Sequence, residues 1–271
     1  MNRRTLLSAL ALSTLVACGG GESSTAPTAS TPAQATQRRP NIVLVTLDTT
    51  RADHIGSYGH TSAGTDTLDA LAARGRRYAN ARSVMPLTIP SHASIFTGLY
   101  PPHHGVRGNN GTVLDGQYTT LAEVLSEAGW RTAASVGAFV TQPMWGFDQG
   151  FDVFMHDGVE QGGNFWHGER PAVEVIDDAL RWREEQTTSD PLFLWVHLFD
   201  AHKPYRAPEA YSEAFPDAPY DAELAYIDDQ VERLLASFDD DNTLVVVIGD
   251  HGESLDEHGE AGHGLYVYDA T

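Results

Sequence analysis

Three apolar runs dominated by β-branched and large side chains stand out from the rest of the chain: residues 41–47, 193–199 and 243–248. Runs of this length with no polar alternation predict strands covered on both faces, as in a parallel sheet. Residues 131–138 predict a further strand, and residues 76–83 a short one. Between these runs the apolar positions change to helical spacing. Leu68, Leu71 and Ala72 predict a helix over 67–74. Leu121, Val124 and Leu125 predict one over 120–128, closed by Gly129. Val173, Ile176, Ala179 and Leu180 form the inward face of a helix over 172–182. Leu224, Ile227, Val231 and Leu234 do the same over 222–236, with the acids of that segment on a solvated opposite face. Residues 101–110 and the Gly- and Phe-punctuated stretch 146–152 read as turns and loops. Strands alternating with amphipathic helices predict an α/β domain.

Polar groups cluster where the apolar runs stop. Asp48 follows the first, Asp200 and His202 the second, and Asp250 and His251 the last. Ligands of open α/β sheets gather at the carboxyl ends of strands. An acid there holds a metal or caps a turn, and Asp48 alone admits both readings. Residues 88–98 (Thr-Ile-Pro-Ser-His-Ala-Ser-Ile-Phe-Thr-Gly) read as a helix start. Pro90 suits the first turn, and Gly98 a left-handed end. Thr88 lies at that N-terminus, where unpaired N–H groups favour an anion. It is a cap or a nucleophile. His197 alternates with apolar neighbours and reads as a core histidine. His103, His104 and His258 are weaker candidates for the same site.

Composition narrows the class. The chain has 271 residues and a formal net charge of −20. That charge disfavours nucleic acid as a partner, because phosphate backbones are held by clustered Lys and Arg. Arg3 and Arg4 precede an apolar run from Leu6 to Ala17, too short to span a bilayer, which takes about 20 residues. Residues 1–17 therefore read as a signal peptide. Leu15-Val16-Ala17-Cys18 resembles a bacterial lipobox, which implies lipidation of Cys18, the single cysteine. Residues 18–39 have the composition of a flexible tether. The expectation is a lipid-anchored protein of a bacterial cell envelope, in the periplasm or at the outer membrane. Gly19 after the cysteine favours the outer membrane. The lipid is then the only membrane contact.

The segment 88–101 resembles the signature of the sulfatase family in the alkaline-phosphatase superfamily, Cys/Ser-x-Pro-x-Arg followed by a small-residue helix and Thr-Gly-x-Tyr-Pro. Here it reads Thr88-Ile89-Pro90-Ser91-His92, then Thr97-Gly98-Leu99-Tyr100-Pro101. Asp48, Thr49, Arg51 and Asp53 match the family's opening motif, and His202 with Pro204-Tyr205 its His-x-Pro-Tyr. The resemblance implies a three-layer α/β/α sandwich with a mostly parallel central sheet over residues 40–271. It also implies one divalent ion (Zn, Mn or Ca) held by Asp48, Thr88, Asp250 and His251. Substrate contacts carry over to His92, His202 and His263, and a second ion using His202 and His263 is compatible with the pattern. Two departures matter. Thr88 replaces the residue that becomes formylglycine, so an unmodified Thr alkoxide is the expected nucleophile. Gly137-Ala138-Phe139-Val140 replaces the family's Gly-Lys-Trp-His, which removes two sulfate-binding side chains. Family members continue past the position of Thr271, so residues 40–271 correspond to the N-terminal portion of the family's domain.

Three functions are compatible with these residues. The first is a metal-dependent hydrolase of small-molecule, glycan or lipid esters of sulfate or phosphate, with Thr88 as nucleophile and His202 assisting. The second is an envelope phosphoglycerol or phosphoethanolamine transferase. The third is an inactive binding lipoprotein of the same fold.

Overall fold

The computed structural model describes residues 38–158, 169–238 and 240–271. The signal peptide, Cys18 and all but the last two residues of the tether lie outside the described residues. In chain order the regular elements are β1 (Asn41–Leu47), α1 (Asp66–Arg74), α2 (Thr88–Thr97), α3 (Pro101–His104), α4 (Leu121–Glu127), β2 (Arg131–Val136), β3 (Val153–Met155), α5 (Ala172–Glu184), β4 (Leu192–Leu198), α6 (Glu209–Ala214), α7 (Pro219–Leu235) and β5 (Thr243–Gly249). The strands form one sheet of order β3-β2-β4-β1-β5. Each neighbouring pair is parallel.

Side-chain alternation along β1 sorts the helices into two layers. Val43, Val45 and Leu47 point toward α1, α5 and α7, where they meet Leu68, Val175, Ile176, Ala179, Leu224, Ile227 and Val231. Leu44 points the other way, toward Ile89, Ala93 and Phe96 of α2 and Ala122 and Leu125 of α4. Phe193 and Trp195 of β4 share that second face. Trp195 is fully enclosed, with its ring 4.6 Å from that of Phe96. Truncating it to alanine would cost about 3–5 kcal/mol. The architecture is the three-layer α/β/α sandwich that the resemblance implies.

Local signals explain several boundaries. Thr120 and Glu123 form a reciprocal capping box at the start of α4. Gly98 ends α2 at φ 67°, with its N–H donated to Ser94 O. Gly249 has no room for a side chain, since a Cβ would lie 2.7 Å from Thr50 O.

Four expectations fail. The run 243–248 is not covered on both faces: β5 is an edge strand, and its Leu244 and Val246 are exposed. Residues 76–83 form no strand: they are exposed, and their Arg-rich sequence offers no apolar face for a neighbour to cover. Residues 101–110 begin with the single helical turn α3. The acids of α7 are not all solvated, because Asp221, Glu223 and Asp228 are buried. Asp228 accepts the N–H groups of Thr67 (2.8 Å) and Leu68 (2.9 Å). It thereby caps α1 from another element, where Thr65 supplies no side-chain cap of its own.

Candidate active site

β1 lies between β4 and β5, and the ladder continues past the ends of the strands. Asp48 N–H donates to Leu198 O (2.9 Å), and Asp250 N–H to Leu47 O (3.3 Å). Two acids from positions 48 and 250 are thereby fixed side by side. Thr49, between them, adopts φ 51°, uncommon for a β-branched residue and a strain of about 1–3 kcal/mol. It is held there from both sides. Its N–H donates to Asp250 Oδ1 (3.2 Å), and its carbonyl accepts from Tyr220 Oη (2.7 Å).

α2 brings Thr88 over this pair. Thr88 occupies the first position of the helix, and its hydroxyl donates to Asp48 Oδ2 (3.3 Å) while lying 3.3 Å from His251 Nε2. The neighbouring amide, Ile89 N–H, is taken by Asn109 Oδ1 (2.9 Å). Ser91 Oγ donates to Asp250 O (2.7 Å) and ties the helix to the β5 end. Asp48, Asp250 and His251 offer ligand atoms within 4.8 Å of one another, and all three are buried.

The hydrogen bonds around this group assign its tautomers. His92 Nδ1 faces Thr88 O (2.9 Å), and a carbonyl only accepts, so Nδ1 carries the proton. His92 Nε2 then accepts from the Thr46 hydroxyl (3.0 Å). That hydroxyl also receives Trp195 Nε1–H (3.0 Å). Its hydrogen is now used, so His197 Nδ1 must donate to it (2.9 Å). Burial pushes the imidazole of His92 down to about 3 and that of His197 to about 4, so both rings are neutral. His197 Nε2 is therefore a bare lone pair, 3.5 Å from Asp48 Oδ2. By the same logic His251 donates Nδ1–H to Gly252 O (3.0 Å) and turns a lone pair at Nε2 toward Thr88.

This pocket is rich in acceptors and poor in donors. Asp48 Oδ1, Asp250 Oδ2 and His197 Nε2 receive no hydrogen bond among the described residues. Burial, and then the neighbouring Asp48, push the Asp250 carboxyl up to about 7. Burial also raises Asp48, against the pull of His251 and His263. Orphaned carboxylate oxygens and imidazole lone pairs converging in a dry site fit a divalent cation, and the mixed oxygen and nitrogen donors suit zinc or manganese.

A second tier of imidazoles lies beside this group. His263 is centred 4.4 Å from the ring of His251 and 5.1 Å from that of His202. Burial alone would lower His263, but Glu253 Oε1 at 3.3 Å and the site acids hold it above the usual histidine range. His202 stacks on Phe199 at 4.4 Å and donates Nδ1–H to Lys203 O (2.6 Å). Burial, and then His263, push it down to about 4. The pair thus joins an imidazole whose protonated form Glu253 favours to one that burial keeps neutral. Arg51 closes the rim through Asp53 and Glu257, each at 2.7 Å, and donates to Glu253 O (3.0 Å).

Several expected site residues sit differently from the sequence reading. His92 was expected at the substrate. It is fully enclosed, with both ring nitrogens used inside the protein, and it braces Thr88 from beneath. His197 reads as a satisfied core residue, but only its Nδ1 is satisfied. His104 is buried against α2, its Nε2 2.9 Å from Ser94 Oγ. Glu253, given no role from sequence, partners His263. The segment that departs from the family's Gly-Lys-Trp-His is apolar here, with Phe139 edge-on to Trp145 at 5.7 Å.

The family model described as Sulfatase matches residues 40–270. The chain belongs to the sulfatase family. Among similar proteins is the sulfatase YidJ of Escherichia coli (strain K12), 24% identical over an alignment covering 86% of this chain and 61% of that protein. Another is the N-acetylglucosamine-6-O-sulfatase of Bacteroides thetaiotaomicron, 25% identical over 90% of this chain and 43% of that protein. This member of the family thus spans about half the length of these relatives. The crystal structure of the phosphonate monoester hydrolase of Agrobacterium radiobacter superposes with a TM-score of 0.71 at 20% identity, covering 86% of this chain and 66% of that one. The shared fold is that of the alkaline-phosphatase superfamily.

Proposed function

We propose that this chain carries the nucleophile and metal centre of a hydrolase of sulfate or phosphate esters. The observation behind this reading is the position of Thr88 Oγ, 3.3 Å from both Asp48 Oδ2 and His251 Nε2, beside acceptors that receive no donor. Asp48, Asp250, His251 and Thr88 would hold the ion, with His197 Nε2 as a further donor. When bound, the ion would lower the pKa of the Thr88 hydroxyl and draw charge from a non-bridging ester oxygen.

Thr88 loses its proton toward Asp48 Oδ2, and its oxygen forms a bond to the sulfur or phosphorus centre as the bridging ester bond breaks. The departing oxygen takes a proton from His263, whose protonated form Glu253 favours, with neutral His202 beside it as a hydrogen-bonding partner. Water, deprotonated in turn by the now neutral His263, attacks the Thr88-linked group; the bond to Thr88 Oγ breaks, and Asp48 returns the proton that restores the hydroxyl. Threonine cannot become an aldehyde, so the intermediate is an ordinary ester that has to be hydrolysed. Relatives named for carbohydrate sulfate esters support a glycan or small-molecule substrate. The apolar segment at 137–140 argues against the lysine grip on sulfate and leaves phosphate esters open.

The test is turnover of paired aryl sulfate, phosphate monoester and phosphate diester substrates, with chelator and with zinc or manganese restored. Metal-dependent turnover with a sulfo or phospho adduct mapped to Thr88 supports the reading. Turnover undiminished in Thr88→Ala would overturn it. Transfer to an added alcohol in preference to water would move the chain to the transferase class. The sequence of residues 1–18 further supports envelope anchoring through Cys18. Incorporation of labelled fatty acid that persists in Cys18→Ser would refute it.

A further inference from the structure

Away from the nucleophile, two imidazoles and a carboxylate meet between the segment after β1 and the first turn of α7. Asp221 is buried there. Its Oδ1 lies 2.5 Å from His54 Nδ1, and its Oδ2 lies 3.2 Å from His60 Nε2. The two imidazole rings are centred 5.0 Å apart. All three residues offer donor atoms within 4.8 Å of one another. None of the three belongs to the site described above.

We propose that His54, His60 and Asp221 form a second divalent-metal site, suited to zinc, that locks the loop behind the nucleophile. Two imidazoles and one carboxylate are a common three-ligand set for zinc, with water in the fourth position. The imidazole side chains are 21% and 26% exposed, so solvent has access to that position. Zinc bonds of about 2.0–2.2 Å put adjacent tetrahedral donors roughly 3.3 Å apart. His60 Nε2 and Asp221 Oδ2 already have that separation. His54 Nδ1, 2.5 Å from Asp221 Oδ1, is closer than that and has to draw back when the ion enters.

The position gives the ion a consequence. Tyr220, next to Asp221, meets the His54 ring edge-on at 5.0 Å. Its hydroxyl accepts Arg51 N–H (2.9 Å) and donates to Thr49 O (2.7 Å). An ion joining residues 54 and 60 to α7 therefore fixes the segment that follows the turn, and Tyr220 passes that constraint to the strained Thr49 and to Arg51. Without the ion, the same three side chains hydrogen-bond one another, so the site tolerates being empty.

Metal-free protein is titrated with Zn²⁺ and with Co²⁺, in wild type and in Asp250→Asn, which weakens the first site. Each form is compared with the same chain carrying His60→Ala. The expected result is the loss of one equivalent of bound Zn²⁺ on adding His60→Ala, in both backgrounds, together with the visible Co²⁺ bands of an imidazole-ligated site. Zn²⁺ should raise Tm by several degrees in Asp250→Asn and by a clearly smaller amount once His60→Ala is added. Circular dichroism of the metal-free chains verifies that they fold. His54→Gln serves as a second variant if His60→Ala does not. Unchanged Zn²⁺ stoichiometry and an unchanged Tm response in the folded His60 or His54 variants would overturn the proposal. So would the absence of any second equivalent in wild type.

Discussion

The carboxylates at the strand ends and those on α7 are buried alike and yet end in opposite conditions. Asp228 of α7 gives both oxygens to backbone N–H groups of α1, Glu223 accepts the N–H of Arg206, and Asp221 meets two imidazoles. Asp48 and Asp250 each keep an oxygen that receives nothing among the described residues, and they face one another. Asp228 and Glu223 are joints between elements, satisfied by backbone N–H groups where they stand. The strand-end acids are held together by the ladder and by α2 against their own repulsion, at a cost in stability that a cation would remove. Burial alone therefore does not mark a functional acid. Burial with unanswered oxygens that converge beside an imidazole and a hydroxyl does.

Substitutions in the two groups should separate them. The largest effect is expected at the strand ends. Thr88→Ala and Asp250→Asn should each reduce metal-dependent turnover by at least about 10³-fold, read as kcat/KM on the best ester substrate. Asp250→Asn should also behave unusually in chelated protein. The Asp250 carboxyl sits at about 7 when folded, against 3.8 ordinarily. Its contribution to stability is present below the ordinary value and lost as pH rises through about 7. The Asn variant lacks that loss, so its metal-free Tm should exceed that of chelated wild type at pH 8 but not near pH 4.

A smaller effect is expected behind the pair. His197→Ala should weaken binding of zinc or manganese by at least about 10-fold in chelator competition, because it removes a bare imidazole lone pair beside Asp48. An unchanged affinity would return His197 to the core. At Asp228 of α7 the strand-end metal should be untouched. Asp228→Ala strips two N–H groups of their acceptor and should lower stability by about 1–3 kcal/mol in denaturant melts, with the same metal affinity. The mildest change is Glu223→Gln. Burial pushes this carboxyl up to about 8 from 4.5. Wild type therefore loses its contribution as pH rises from about 4.5 through about 8, and the Gln variant should show a flatter Tm profile across that window.

Much of the frame is legible along the chain. β1, β4 and β5 are continuous apolar runs, and few alternatives exist for such runs beside amphipathic helices. The start of α2 carries its own punctuation in Pro90 and Gly98. Asp48, Asp250 and His251 follow from a rule about strand ends, and the structure brings those three together under Thr88. Residues 76–83 mislead because a few β-formers among arginines do not make a strand without a neighbour. The α7 acids mislead for a related reason. Helical periodicity identifies the strongly apolar face, whereas Asp228 is buried by α1, whose position no local pattern reports. His92 lies four residues after Thr88, so one helical turn carries it beneath the nucleophile. For His197, the alternation of Phe193, Trp195 and His197 does put all three on one face, and only the arrival of α2 on that face turns the last of them into part of the site.

What the sequence by itself determined is where strands end and which polar residues stand at those ends, since both follow from short-range periodicity and from the cost of burying a polar group inside a run. Tertiary structure alone decided which atoms of those residues are answered. The proton on His197 is assigned by Thr46, Trp195 and His92, and the condition of Asp250 by Asp48 and Thr49, partners drawn from all along the chain. A hydrogen bond is settled within about 3 Å, and only folding decides which distant side chains come that close.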